Sequence, residues 1–415
     1  MKKLNLFFLL FLSVIILSAC GNAITYGTLL DENEPEKKLT LMVYMAADND
    51  LEAYAVENLK QMEQASFNDV NVLVLFDRAE GYDETNGNWT DTRLFEVQHD
   101  SSNGIDIISK RLSCPSLGLS ADNATELDMA KPMVLMNFIQ FCKTNYKAEK
   151  YALIIWGHGT GWRAFAVDDR TDSYMGVQEL GNSVRGEGLC VIGFDTCFGG
   201  VMENVYELKD CAEYTVASPC VTPSSGWNYK TLLEKLSSQN ASSLNIAKAM
   251  NQSASSIKPT IFDNSKMENL MEAFEDFSKE LSQSINSAQS RTEVYNALFS
   301  SKSYSHSTYP CDMFLDIYSM AALYKQSSNA TLAGSAQTLQ SAVEQISSEG
   351  SSKAISVLFI PLSGRNTVAL AHSEDYVKDS SRSWQCKFIK ESEWWVPTRE
   401  RNSDSLLDKL FYKVY

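Results

Sequence analysis

Histidine is scarce in this chain of 415 residues, with four in all. None falls in an HExxH pattern and none stands at metal-ligand spacing from a cysteine, which argues against a zinc hydrolase and a structural zinc site. The nine cysteines are Cys20, Cys114, Cys142, Cys190, Cys197, Cys211, Cys220, Cys311 and Cys386, and no two form a CxxC pair. Scattered so widely, they are no disulfide framework of the small secreted kind; buried apolar thiols are the expected use of most. The absence of GxSxG removes a serine-hydrolase elbow. There is no internal repeat, heptad run, P-loop or EF-hand spacing. Positive charge is also lacking: the net charge of −16 speaks against a nucleic-acid partner.

What is present begins with "MKKLNLFFLLFLSVIILSAC" (1–20), two lysines before an apolar run, then small residues and a cysteine. This reads as a secretory signal, too short for a membrane span. Its "LSAC" end resembles a bacterial lipobox, which implies a lipoprotein signal peptide with lipid on Cys20 and a place in the cell envelope. An ordinary signal peptide with an incidental cysteine is the alternative. Residues 21–36 are polar and irregular and read as a tether.

The mature chain is long for one core, so a large domain with an appendage, or two domains, is expected. Continuous apolar runs mark strands at 39–46, 70–77, 151–156 and 189–195, with shorter ones at 92–98 and 214–218. Helical spacing follows a capping Asp48 or Asp50, and recurs at 125–146, with Pro132 near its start, and at 201–210. Strands without polar alternation, separated by helices, predict a mostly parallel sheet covered on both faces, a doubly wound α/β sandwich. Beyond Trp227, helical and Ser/Asn-rich stretches dominate. One further strand near 355–362 reads as an extension of the same sheet.

Two strand ends carry unusual residues. "YALIIW" runs into "GHGTGW" (157–162), and "LCVIGFD" runs into "TCFGG" (196–200). His158 and Cys197 thus each stand just past a strand's carboxyl end, where such sheets bind ligands. A thiol nucleophile, an imidazole to manage protons and flexible backbone to offer N–H groups are the parts of a thiol peptidase. A helix starting near Val201 would lower the thiol's pKa. Alone, each motif has a plainer reading, as a core cysteine and a structural histidine.

Together the motifs resemble the clostripain family of cysteine peptidases, in the clan of caspases, gingipains and legumains. The matching pieces are "LMVYMAADNDLE" (41–52), "IIWGHGTGW" (154–162), "GFDTCFGGVMENVYEL" (193–208) and "ASPCVTPSSGWNY" (217–229). The resemblance implies a caspase-like αβα sandwich, with a catalytic core over 37–236 and a helical-rich portion over 237–415. It implies a dyad of His158 and Cys197 with no obligatory third residue. It also implies an oxyanion held by the backbone N–H groups of Gly159 and Cys197, with Gly199–Gly200 turning the chain into the next helix. Family members commonly cut after Arg or Lys, which gives Asp195 the role of P1 carboxylate; ordering the strand end is its other reading. Thr196 replaces an expected small residue, and the "ASPCVTP" pocket wall carries no acid.

Self-cleavage between the two motifs is a family habit. Of Arg163, Arg170 and Arg185 in that interval, Arg170 in a polar stretch is the expected site. No cofactor is required by this reading; calcium, used by some relatives, has weak candidates in Asp168, Asp169 and Asp172. Partners are protein or peptide substrates, and a membrane reached through Cys20. The competing reading is a catalytically silent surface lipoprotein, against which the intact His158 and Cys197 speak. His99, His306 and His372 lie outside recognisable motifs, and Trp394–Trp395 reads as a packing element.

Overall fold

A computed structural model describes residues 36–102, 104–254, 259–305, 313–348, 350–359, 387–392, 394 and 406–411. Cys20, Cys311, Cys386, His306, His372 and Trp395 lie outside them, as do the signal peptide and the tether.

The chain begins β1 (Lys37–Ala47), α1 (Glu52–Gln64), β2 (Val70–Arg78), β3 (Thr92–Glu96), β4 (Lys110–Leu112), α2 (Pro132–Asn145) and β5 (Ala148–Trp156). A hairpin of β6 (Phe165–Asp168) and β7 (Ser173–Met175) follows, then α3 (Val177–Val184), β8 (Leu189–Asp195), α4 (Met202–Glu207) and β9 (Ala212–Ala217). Next come α5 (Tyr229–Ser238), α6 (Ser243–Ser253), β10 (Thr260–Asp263), α7 (Met267–Ser284) and α8 (Ala288–Phe299). The rest comprises β11 (Ser303–Ser305), β12 (Met313–Asp316), α9 (Ile317–Tyr324), α10 (Ala330–Ile346), β13 (Ser356–Phe359) and two short helices, Lys387–Glu391 and Leu406–Phe411.

Eight strands form one sheet in the order β10-β9-β8-β5-β1-β2-β3-β4. From β9 to β2 every pairing is parallel, while β3, β4 and β10 add antiparallel edges. Burial on both faces is visible in β1. Leu39, Leu41, Val43 and Met45 enter one core with α1, α5 and α6, while Met42 and Tyr44 enter another with α2, α3, α4 and α7. The period of two sends alternate side chains to opposite layers, so an apolar run without alternation is what a covered parallel strand requires. The architecture is the expected αβα sandwich.

Local chemistry shifts several boundaries. The second helix starts at Pro132 as its first residue rather than at Thr125, because proline needs no N–H there and suits that position. Thr125 instead accepts the Thr92 N–H at 2.9 Å, and Leu127 donates to Thr92 Oγ1 at 2.9 Å. Strand β13 does not extend the main sheet but pairs with β12 in a separate three-stranded sheet with β11. Its Ser356 forms one parallel bridge to Val201, with the Ser356 N–H 3.4 Å from Gly200 O. Leu358 N–H donates to buried Glu203 Oε1 at 3.0 Å. Trp394 is fully buried and donates its indole N–H to Leu358 O at 3.0 Å, which makes it a packing element.

Candidate active site

Trp156 and Asp195, the last residues of β5 and β8, are partners in the parallel ladder. His158 and Cys197 each lie two residues further on, in the loops that leave these neighbouring strand ends, and the two loops touch where Gly159 packs against Cys197 O. The 38 residues between them in sequence (159–196) are folded away, through the β6–β7 hairpin and α3. Gly157, at φ +132°, releases the chain from β5, and a side chain on it would meet Ala46 O at 2.7 Å.

Gly159 presses on the nucleophile loop: a Cβ there would collide with Cys197 O and sit 2.9 Å from Thr196 Oγ1. Gly159 also bridges Phe165, and the bond made is Thr160 N–H to Ala164 O at 3.1 Å, which does not use the Gly159 N–H. Thr196 is buried beneath Gly159, donating its hydroxyl to Cys197 O at 3.2 Å.

The tight turn after the thiol is made differently from the expectation. The residue in the left-handed region is Phe198, at φ +53°. A phenylalanine there is strained by about 1–3 kcal/mol unless its surroundings hold it. It is fully buried, its ring lies tilted with its centroid 4.9 Å from that of Phe314, and it donates its N–H to Cys220 O at 3.0 Å. Gly199 and Gly200 serve close packing instead: side chains there would meet Phe194 Cβ at 2.6 Å and Ser218 C at 2.9 Å.

The Cys197 thiol is half-buried and lies against Thr222, which donates its N–H to Sγ at 3.3 Å and offers its carbonyl at 3.6 Å. Burial pushes the thiol up from its ordinary value, and the Thr222 N–H pulls the other way. The expected lowering by the following helix is not met. Helix α4 begins five residues beyond the thiol (202 − 197 = 5) and runs for only six, and a helix dipole acts within its first turn. The "ASPCVTP" stretch covers this loop through Ser218, Cys220 and Thr222.

On the other side, His158 Nε2 lies 2.6 Å from Asp50 Oδ1. Asp50 does not cap α1: its N-cap is Leu51, with no side-chain cap bond. Asp50 and Thr222 lie in the stretches 41–52 and 217–229 that carry the resemblance, but nothing in the sequence assigned either a contact with His158 or Cys197; both reach the site from loops, Asp50 between β1 and α1 and Thr222 between β9 and α5.

Asp195 is nearly sealed from solvent, and its Oδ2 accepts the Trp227 N–H at 2.9 Å and the Tyr229 hydroxyl at 3.0 Å. Its Oδ1 has no hydrogen-bond partner among the described residues. Burial pushes the carboxyl up to about 7, opposed by those two donors.

Arg170 sits in the β6–β7 turn, 39 % exposed, with its guanidinium 2.8 Å from Glu126 and 3.5 Å from Asp48 and bonded to Thr90 O at 3.2 Å. Among the described residues the acids close enough to share a cation are Asp48, Asp77 and Glu126, not Asp168, Asp169 and Asp172. Asp168 is spent on the Thr171 and Met129 N–H groups, at 2.9 and 3.2 Å. His99 is exposed, its ring bonded to Glu63 O at 3.2 Å.

An αβα sandwich with a thiol and an imidazole on adjacent strand ends defines the caspase-like class of proteins. Residues 43–403 match the clostripain family, peptidase C11. The chain belongs to that family. It is 27% identical over 230 residues to clostripain of Hathewaya histolytica, covering 48% of this chain but 42% of that protein, so less than half of the relative is spanned. Among solved structures, an inactive zymogen C11 protease from Parabacteroides distasonis superposes with a TM-score of 0.59 at 16% identity, covering 82% of this chain and 97% of the other. A secreted C11 cysteine protease from Bacteroides thetaiotaomicron, in complex with an irreversible peptide inhibitor, gives 0.58 at 16%, covering 87% and 98%. At that identity the two structures speak for the fold.

Proposed function

We propose that this chain is a cysteine endopeptidase. The observation that carries the reading is that His158 and Cys197 follow, by two residues each, the paired carboxyl-terminal residues Trp156 and Asp195 of neighbouring parallel strands. Cys197 Sγ attacks the scissile carbonyl carbon and its proton passes to His158. The tetrahedral oxygen is held by the Gly159 and Cys197 N–H groups. The imidazole then protonates the leaving amine, and water, activated by the same ring, cleaves the acyl-enzyme. Because burial keeps the resting thiol protonated, the proton must move as attack begins.

The bond cut is proposed to follow Arg or Lys. The support is Asp195, whose buried Oδ1 is unpartnered and would gain a charge-assisted bond from a basic P1 side chain. Residues 37–236 are assigned the catalysis and 237–415 its support. The chain is placed in the cell envelope by lipid on Cys20. Calcium is proposed to play no part while Arg170 serves as counterion to the Asp48–Glu126 cluster.

The test is a library of peptides varied at P1, with an irreversible peptide ketone as label. Cleavage after Arg and Lys is expected, insensitive to chelator, with label on Cys197 and none on Cys197→Ala. A chain that binds peptides without labelling or cleavage would instead be a silent surface lipoprotein.

A further inference from the structure

We propose that Asp50 is a positioning residue for His158, a third member of the site that sets which imidazole nitrogen works. The inference rests on the peptidase reading and deepens it. Asp50 Oδ1 lies 2.6 Å from His158 Nε2, and the carboxylate has no other hydrogen bond among the described residues. It caps no helix, and with 65 % of its side chain exposed it adds little to stability.

The loop that presents it is fixed from both sides. Asn49 donates to Ala46 O at 3.2 Å and Val167 O at 2.9 Å, and accepts the Leu51 N–H at 3.1 Å. Asp48 O accepts the Asp169 N–H at 2.9 Å. The β6–β7 hairpin thus holds the β1–α1 loop, and the loop holds Asp50 at the ring. An ionised carboxylate only accepts, so the neutral ring must carry its proton on Nε2 and keep its lone pair on Nδ1. Nδ1 is then the atom that takes the thiol proton and returns it to the leaving amine. When the ring becomes imidazolium, Asp50 faces its charge from the β1–α1 loop, and Asp169 lies near it from the β6–β7 turn.

The experiment compares wild type with Asp50→Asn, Asp50→Glu and, as a control for charge alone, Asp169→Asn. All are made as full chains and assayed on one peptide identified from the wild type. Asp50→Asn is expected to lower kcat by about ten- to a hundredfold with KM within about twofold. Asp50→Glu should recover part of the loss. Asp169→Asn, which removes a nearby charge without a bond to the ring, should lose clearly less kcat than Asp50→Asn. Nitrogen-15 spectra of His158 should show the Nε2–H tautomer in wild type and a mixture in Asp50→Asn.

An unchanged kcat in Asp50→Asn overturns the proposal. A raised kcat overturns it as well, since Asp50 would then restrain the ring. If the wild type neither cleaves peptides nor takes label at Cys197, it is the peptidase reading that fails, and the tautomer spectrum still judges the Asp50 contact.

Discussion

Asp195 turns one oxygen to Trp227 and Tyr229 and leaves the other bare. Burial pushes its carboxyl up to about 7. The sign for binding follows: above that pH the group is an anion and attracts a cationic side chain, and below it the group is neutral. The ratio of kcat/KM for an Arg substrate over an Ala substrate is therefore expected to rise as pH increases from 6 to 8. Taking the ratio cancels titrations shared by both substrates, the Cys197 thiol among them. Asp195→Asn should flatten the ratio and lower it by about tenfold or more; a preference for Arg that survives would remove Asp195 from recognition. His158, Cys197 and Asp195 stood out in the sequence as candidates because each sits in a local string, a buried strand running into glycines. The contacts of Asp50 with His158 and of Thr222 with Cys197 had no such signal, although both residues lie in the quoted stretches 41–52 and 217–229: the partners stand 108 and 25 positions apart, and no pattern in one string marks an encounter made by the fold.

The strands of the core, as elements, were readable for a similar reason. A strand stretch covered on both faces is a continuous apolar run, as Leu41–Ala47 of β1, Val72–Phe76 of β2, Ala152–Trp156 of β5 and Leu189–Phe194 of β8 are. The four-residue strands β10 and β12 are shorter than any periodicity can mark, so the edge at Thr260–Asp263 came only from the structure, as did the small second sheet that takes β13, the strand expected near 355–362, away from the main one. The β6–β7 hairpin was likewise hidden in a polar stretch. It puts Arg170 in a turn but ties its guanidinium to Glu126 and Asp48. For Arg170 to serve as a P1 residue those ion pairs must open, and the proposed self-cleavage is then slow compared with cutting of an unstructured peptide. Denaturing gels of aged wild type are expected to show two fragments, with single full-length bands for Cys197→Ala and Arg170→Ala. Fragments persisting in Arg170→Ala would move the cut to another residue.

Taken whole, the chain is acidic, with a net charge of −16, and among the described residues no helix is long and apolar enough to cross a membrane. Attachment to a membrane through lipid on Cys20 is proposed on the LSAC stretch of the sequence. Growth with labelled palmitate should mark the wild type, and Cys20→Ala should stay unmarked; equal marking of both would reject that assignment. The sheet has one more consequence. Strand β8 is inserted between β5 and β9, while the connection from β5 to β8 runs outside through the hairpin. Scission at the hairpin tip would thus produce a nicked but undivided particle, its two polypeptides laced by the ladder between Ala152–Trp156 and Val191–Asp195. Gel filtration would see the same object before and after, and maturation would be invisible until the sheet itself was melted.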